Sequence, residues 1–119
     1  MLSIESEIRK VYEITQEEET AICNFLQGAV YCWCKNRPDE WFGMRDLMGG
    51  DNYYWQGTPL YCLYIKHSDK STAVEDAGKD SGWLLKKIIY EDKRHFDTKK
   101  EGLIRKYKGV DLLIDALAD

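Results

Sequence analysis

The stretch that decides the fold is DAGKDSGWLLKK, residues 76–87, in which Gly78 and Gly82 precede an apolar run that carries two lysines. Two structures are compatible with it. In the first, Gly78 supplies a left-handed turn between two helices, and the second helix starts near Asp80. In the second, residues 72–91 form one continuous helix that tolerates each glycine at a cost of about 1 kcal/mol relative to alanine. The turn is the favoured interpretation, so the sequence predicts a helix-turn-helix here.

The clearest helix upstream begins after Thr15. Thr15 and Glu18 have the spacing of a capping box, and acidic residues crowd the following turn, where the helix dipole favours them. An apolar stripe follows at helical spacing: Ile22, Phe25, Leu26, Ala29, Val30 and Trp33. We expect this stripe to pack against a second one, formed by Leu84, Leu85, Ile88 and Ile89. A shorter amphipathic helix is predicted over residues 3–14.

Shorter elements fill the rest of the chain. Trp41 and Phe42 predict a very short strand, and residues 58–67 predict a helix capped by Thr58. Residues 95–109 read as two strands around the turn KKEG, and residues 110–118 as a final amphipathic helix. The expected fold is therefore α+β, mostly helical, with a small sheet. The whole chain, residues 1–119, is expected to form a single domain.

The charge distribution indicates a partner for the second half of the chain. The formal net charge is −4, yet residues 60–110 hold twelve Lys and Arg against eight Asp and Glu. Within residues 86–108 the count is nine against four. Such a basic stretch is typical of contacts with nucleic-acid phosphates.

In the helix-turn-helix interpretation, early side chains of the second helix, such as Ser81 and Trp83, approach base edges, and lysines and arginines contact phosphates. The candidate nucleic-acid-binding residues are Lys79, Ser81, Lys86, Lys87, Lys93, Arg94, Lys99, Lys100, Arg105, Lys106 and Lys108. The helix predicted over residues 58–67 competes for a place in the motif. If that segment is the second helix, the register shifts and the residues that contact bases change.

The order of long helix, short strand, helix, helix and basic hairpin over residues 16–108 resembles that of the winged-helix family of DNA-binding domains. The resemblance implies a winged-helix-like core with added N- and C-terminal helices. It also implies that the second helix contacts bases and the hairpin, as the wing, contacts the DNA backbone. The function expected on this basis is that of a small DNA-binding regulator that binds double-stranded DNA. Lys79 departs from the family pattern, which usually has an apolar residue after the turn glycine.

An alternative function is that of a protein-interaction module. Its contact surface would lie in the aromatic-rich residues 53–64, with Tyr53, Tyr54 and Trp55 as the binding side chains. Aromatic residues also fill cores, and a structural role is the favoured interpretation for most of the cluster.

The sequence offers little for catalysis or for cofactors. Neither His67 nor His95 lies in a catalytic or zinc-binding signature, and no phosphate-binding glycine loop is present. Four cysteines are present, Cys23, Cys32, Cys34 and Cys62, and the pair in CWC would point its thiols apart on a helix. We therefore expect reduced thiols, no metal, no cofactor and no enzymatic activity. The absence of a long apolar run or a signal-like N-terminus predicts a cytoplasmic protein that does not enter membranes.

Overall fold

The computed structural model describes residues 7–50 and 53–110. In chain order the elements are α1 (Gln16–Asn36), α2 (Met44–Leu47), α3 (Tyr61–Lys66), α4 (Ala73–Glu91), β1 (His95–Glu101) and β2 (Ile104–Val110). The expected α+β class is confirmed. The two strands form an antiparallel hairpin, and the longer helices α1 and α4 pack against each other.

Helix α1 begins where the capping box places it. The Thr15 hydroxyl accepts a hydrogen bond from the Glu18 backbone at 3.0 Å, and the Glu18 carboxylate accepts one from the Thr15 backbone at 2.8 Å. The buried residues of α1 are Ile22, Leu26, Val30 and Cys34. Phe25 and Ala29 were expected in the core as well, but both are only half-buried. The buried stripe is therefore rotated away from them, towards Cys34.

The predicted break at Gly78 is wrong, because α4 is one continuous helix from Ala73 to Glu91. Consequently no helix starts near Asp80, which lies in the middle of α4. Burial explains why the helix tolerates its glycines. Its inward face buries Ala77, Ser81, Leu84, Leu85, Ile88 and Ile89. Burying several such side chains outweighs a helix-propensity cost of about 1 kcal/mol per glycine.

Replacing either helix glycine by alanine is expected to stabilise the protein. A Cβ atom built at Gly78 or Gly82 meets nothing within 4 Å, so neither site needs a glycine for packing. Gly78→Ala and Gly82→Ala should each raise the free energy of unfolding by about 0.5 to 1 kcal/mol in urea titrations. Gly102→Ala is the control and should destabilise, because Gly102 has a φ of +61°. A loss of stability in Gly78→Ala would contradict the continuous helix.

The N-terminal helix predicted over residues 3–14 is wrong for residues 7–14, which form an irregular arm. Residues 1–6 lie outside the described part of the chain. Tertiary contacts replace helical hydrogen bonds here: Val11 is buried, the Arg9 guanidinium lies over Trp83, and the Lys66 ammonium donates to the Tyr12 carbonyl. Glu13, with a φ of +62°, turns the arm towards α1.

The predicted helix over residues 58–67 is shorter than expected. Helix α3 begins at Tyr61, and the Thr58 hydroxyl accepts from the Leu60 backbone in the turn before it. The predicted helix over residues 110–118 has only Val110 among the described residues, and Val110 belongs to β2. The rest of that segment lies outside them.

The hairpin is attached to the helices through Phe42. The Phe42 backbone donates to and accepts from Tyr107 of β2, both at 2.8 Å, which confirms the short strand expected there as a single bridge. Phe42 and Tyr107 are both buried, and their ring centroids are 5.9 Å apart. The bridge places Phe42 beside β2, with β1 on the other side of that strand.

Candidate nucleic-acid interface

One face of the hairpin carries three lysines, two of which flank a tryptophan. Side chains alternate between the two faces of a strand, so Lys99, its cross-strand partner Lys106, and Lys108 lie on the same face. The ring of Trp41 joins them, with the Lys99 ammonium 4.4 Å and the Lys108 ammonium 5.3 Å from its centroid. We call Trp41, Lys99, Lys106 and Lys108 the basic face.

Two carboxylates moderate the charge of the basic face. Lys99 pairs with Glu101 at 2.9 Å, and Lys106 pairs with Asp46 at 2.8 Å. Burial alone would raise the pKa of Asp46, but hydrogen bonds from Lys106 and from the Gly43 backbone hold that pKa below its ordinary value. These pairs allow Lys99 and Lys106 to lie opposite each other, an arrangement of like charges that would otherwise be destabilising.

The end of the hairpin carries two further cations. Lys100 lies opposite Arg105, and the Arg105 guanidinium donates to the Thr98 hydroxyl at 3.0 Å. Beyond them, the turn exposes Leu103 almost completely. A depression of about 250 Å³ beside the hairpin is lined by Gly43, Arg45, Asp46, Glu101, Ile104 and Lys106. Its walls carry both signs of charge, so it does not select an anion by charge alone.

Helix α4 does not present the residues expected to read bases. Ser81 is fully buried, and its hydroxyl donates to the Gly78 carbonyl at 2.8 Å. Trp83 is half-buried between Arg9 and Lys86, whose charged groups lie 5.3 Å and 5.1 Å from its ring centroid. The sequence-based assignment of Ser81 to a reading face is therefore wrong, because that side of α4 belongs to the core.

Lys86 is also unsuited to a phosphate contact as it stands, since only 8% of its surface is exposed. Burial lowers the pKa of Lys86, and the nearby Arg105 lowers it further, while Glu7 of the N-terminal arm opposes the shift. The arm thus covers the part of α4 where the sequence placed the interface.

Two other candidate cations hold the fold together. Lys87 pairs with Glu19 of α1 at 2.8 Å, and this hydrogen bond raises the pKa of Lys87. Arg94 pairs with Asp92 at 2.9 Å and lies 4.3 Å over the ring of Tyr31. Both cations therefore serve contacts between α1 and the end of α4. Lys79 on α4 and Lys93 before β1 are exposed.

The aromatic residues proposed for a protein partner separate in the structure. Trp55 is buried, Tyr53 is half-buried with its pKa raised by burial, and Tyr54 is 84% exposed. Tyr53 and Tyr54 border an apolar groove of about 450 Å³. Its other lining residues are Phe25, Gly28, Ala29, Cys32, Leu47, Met48 and Thr58. Phe25 and Ala29 of the predicted apolar stripe line this groove and are only half-buried.

A charged cluster joins α3 to α4. Asp80 accepts from Lys66 and contacts His67 Nε2, both at 2.8 Å, while Lys70 lies 3.1 Å from His67 Nδ1. The side chains of Lys66, His67 and Asp80 are less than one-fifth exposed. Sequence reasoning treated His67 as an isolated residue, since its partner Asp80 is thirteen positions away along the chain. The cluster joins the end of α3 to the middle of α4 and, through Lys66, to the N-terminal arm.

The four cysteines are free thiols. Burial raises the pKa of the Cys34 thiol to about 11, so this group stays protonated near neutral pH. Within residues 7–50 and 53–110, no group of three His, Cys, Asp or Glu side chains is placed to hold a metal ion. No helix in the same residues is long and apolar enough to cross a bilayer.

A scan against family models and searches of curated proteins and of solved structures found no match to this chain. Fold and surface alone therefore define its class, which is a small α+β protein with a basic hairpin that packs against Trp41.

Proposed function

We propose that this protein binds double-stranded DNA through its hairpin and acts as a small regulator without a cofactor. The observation that carries the proposal is the basic face, where Lys99 and Lys108 flank Trp41 and Lys106 lies opposite Lys99. Two more cations, Lys100 and Arg105, follow at the end of the same hairpin. Phosphate contacts from such a surface supply affinity without reading sequence. The basic hairpin, rather than α4, is the principal contact.

The order of elements supports the proposal. The bridge at Phe42 lies beside β2, and the hairpin follows directly after the longest helix that packs on α1, an order similar to that of winged-helix domains. If the chain uses a helix-turn-helix, it consists of α3, residues 67–72 and α4. The exposed residues in the first half of α4 are then Val74, Glu75 and Lys79. One is apolar, one acidic and one basic, so this part of α4 would have a minor role in DNA contact.

A duplex titration at several salt concentrations tests the proposal. Lys99→Ala combined with Lys100→Ala should weaken binding to every duplex by a similar factor, because these lysines displace counterions from phosphates. The slope of log K against log salt should flatten by about 0.9 for each phosphate contact that is lost. Lys35→Ala on α1, an exposed lysine outside the hairpin, is the control and should leave the slope unchanged.

Failure of the wild-type protein to bind duplex at about 50 mM salt, where electrostatic attraction is strong, would contradict the proposal.

The apolar groove favours the second candidate function, a protein-interaction module, since Tyr54 is 84% exposed at the border of the groove. Four of the candidate DNA-binding cations are paired with carboxylates, which is also compatible with a protein-interaction module. They are Lys87, Arg94, Lys99 and Lys106.

A further inference from the structure

The hairpin ends in an apolar side chain that the fold does not use. Glu101 and Ile104 form the last pair of the ladder, so Gly102 and Leu103 are the two turn residues. The φ of +61° at Gly102 suits a type II′ turn, which places glycine first. Leu103 is 96% exposed, more than any other large apolar side chain in residues 7–50 and 53–110. It therefore contributes almost nothing to the core.

Behind the closing pair of Glu101 and Ile104, cations lie on both faces of the ribbon. Lys100 and Arg105 form one cross-strand pair, and Lys99 and Lys106 form the next pair on the opposite face. The carboxylate of the tip, Glu101, is paired with Lys99, which lowers the pKa of Glu101. An approaching polyanion thus meets an apolar side chain with Lys100 and Arg105 on one face of the ribbon and the ion-paired Lys99 and Lys106 on the other.

This combination suits one kind of contact with DNA. Architectural proteins place apolar side chains between base steps from the minor groove, while flanking cations hold the phosphates on either side. A lone exposed leucine is ordinary on protein surfaces. Here it stands in the turn of a two-stranded ribbon that carries cations on both of its faces.

From these contacts we infer that the hairpin tip enters the minor groove of duplex DNA and that Leu103 wedges between base pairs and bends the duplex. This inference rests on the proposed function and names its substrate class: duplex with an easily unstacked step. Partial unstacking has a free-energy cost, which is smallest where a base pair is already mismatched. The protein should therefore prefer a duplex with a central mismatch over the intact duplex of the same sequence.

The test uses two duplexes of about 20 to 30 base pairs, one intact and one with a central mismatch, each carrying a fluorescent donor and acceptor at its ends. Wild type should bind the mismatched duplex about tenfold more tightly and bring the two ends closer together. Leu103→Ala should lose both effects and keep the salt slope. Because Leu103 is exposed, the thermal unfolding of Leu103→Ala should match that of wild type. The control Lys100→Ala should weaken binding to both duplexes equally and keep the preference.

The possible failures are distinguishable. If wild type binds neither duplex at low salt, the proposed function fails together with this inference. If wild type binds both duplexes equally and bends neither, or if Leu103→Ala retains the preference and the bending, only the wedge is overturned. Binding of wild type but not of Leu103→Ala to anionic lipid vesicles, without duplex bending, would assign the tip to a membrane surface and also overturn it.

Discussion

Phe42→Ala is expected to destabilise the protein by about 3 to 5 kcal/mol, because it removes a fully buried aromatic ring and leaves a cavity. The ring centroid of Phe42 lies 5.9 Å from those of Trp33 and Tyr107, so it joins α1 to the hairpin. The loss is a large part of the roughly 5 to 15 kcal/mol that stabilises a typical domain. Urea denaturation followed by circular dichroism measures the change.

The matched control for this substitution is Phe25→Ala. Phe25 is half-buried at the border of the apolar groove, where solvent can fill the space that its ring vacates. We expect Phe25→Ala to cost clearly less than Phe42→Ala. Equal losses for the two variants would contradict the assignment of Phe42, rather than Phe25, to the core between helices and hairpin.

The elements that the sequence predicted well are those defined by local interactions. The capping box of Thr15 and Glu18 needs only four residues, and it starts α1 as expected. The hairpin follows from two runs of strand-forming residues with a glycine between them. Its turn nevertheless lies at Gly102 and Leu103, later than the predicted KKEG, because the pairing of Phe96, Thr98 and Tyr107 on the core side fixes the register.

The wrong predictions have a different physical origin, which is tertiary contact. Gly78 is a helix breaker by propensity, but buried neighbours on α4 outweigh that preference. The arm of residues 7–14 has helical periodicity, yet its contacts with Trp83 and Lys66 hold it in a non-helical form. Neither outcome can be read from a local pattern. Helix α4 is buried by packing against α1 and α3, and the contacts of the arm are with residues more than fifty positions further along the chain.

The candidate interface could likewise be predicted only in part from the sequence. A count of lysines and arginines located the basic hairpin, since charge is a property of the sequence. The count could not show that Arg94 is paired with Asp92, that Lys86 is buried, or that Trp41 lies between Lys99 and Lys108. The position of Trp41 depends on the bridge between Phe42 and Tyr107, which brings Trp41 to the hairpin from a segment more than fifty residues earlier.

The ion pair that ends α4 should be the most important one for stability. Only 4% of the Asp92 side chain is exposed. Its carboxylate accepts from the Arg94 backbone at 2.9 Å, from the Arg94 guanidinium at 3.1 and 2.9 Å, and from Gln27 at 2.9 Å. Asp92→Asn leaves Arg94 without its carboxylate in a buried setting, and we expect a loss of about 3 to 5 kcal/mol.

Glu40→Gln provides the contrasting control for Asp92→Asn. Glu40 pairs with Arg37, and both side chains are 56% exposed. Because solvent screens such a pair, its removal should cost less than about 1 kcal/mol. If the two variants lost the same stability at neutral pH, the structural role assigned to Asp92 and Arg94 would be wrong.

The same ion pair can be tested independently by its pH dependence. The quantity to follow is the difference in free energy of unfolding between wild type and Asp92→Asn. Burial alone would raise the pKa of Asp92, but the hydrogen bonds from Arg94 and Gln27 hold that pKa below its ordinary value. A carboxyl group with a lowered folded-state pKa stabilises the fold above its unfolded pKa, about 3.9, and this stabilisation is lost as the pH falls through the folded-state pKa. The difference in free energy of unfolding should therefore be largest at neutral pH and should shrink below about pH 4. Urea titrations of both proteins between neutral and acidic pH measure it, and a difference that stayed constant into acid would show that the carboxylate charge of Asp92 does not stabilise the fold.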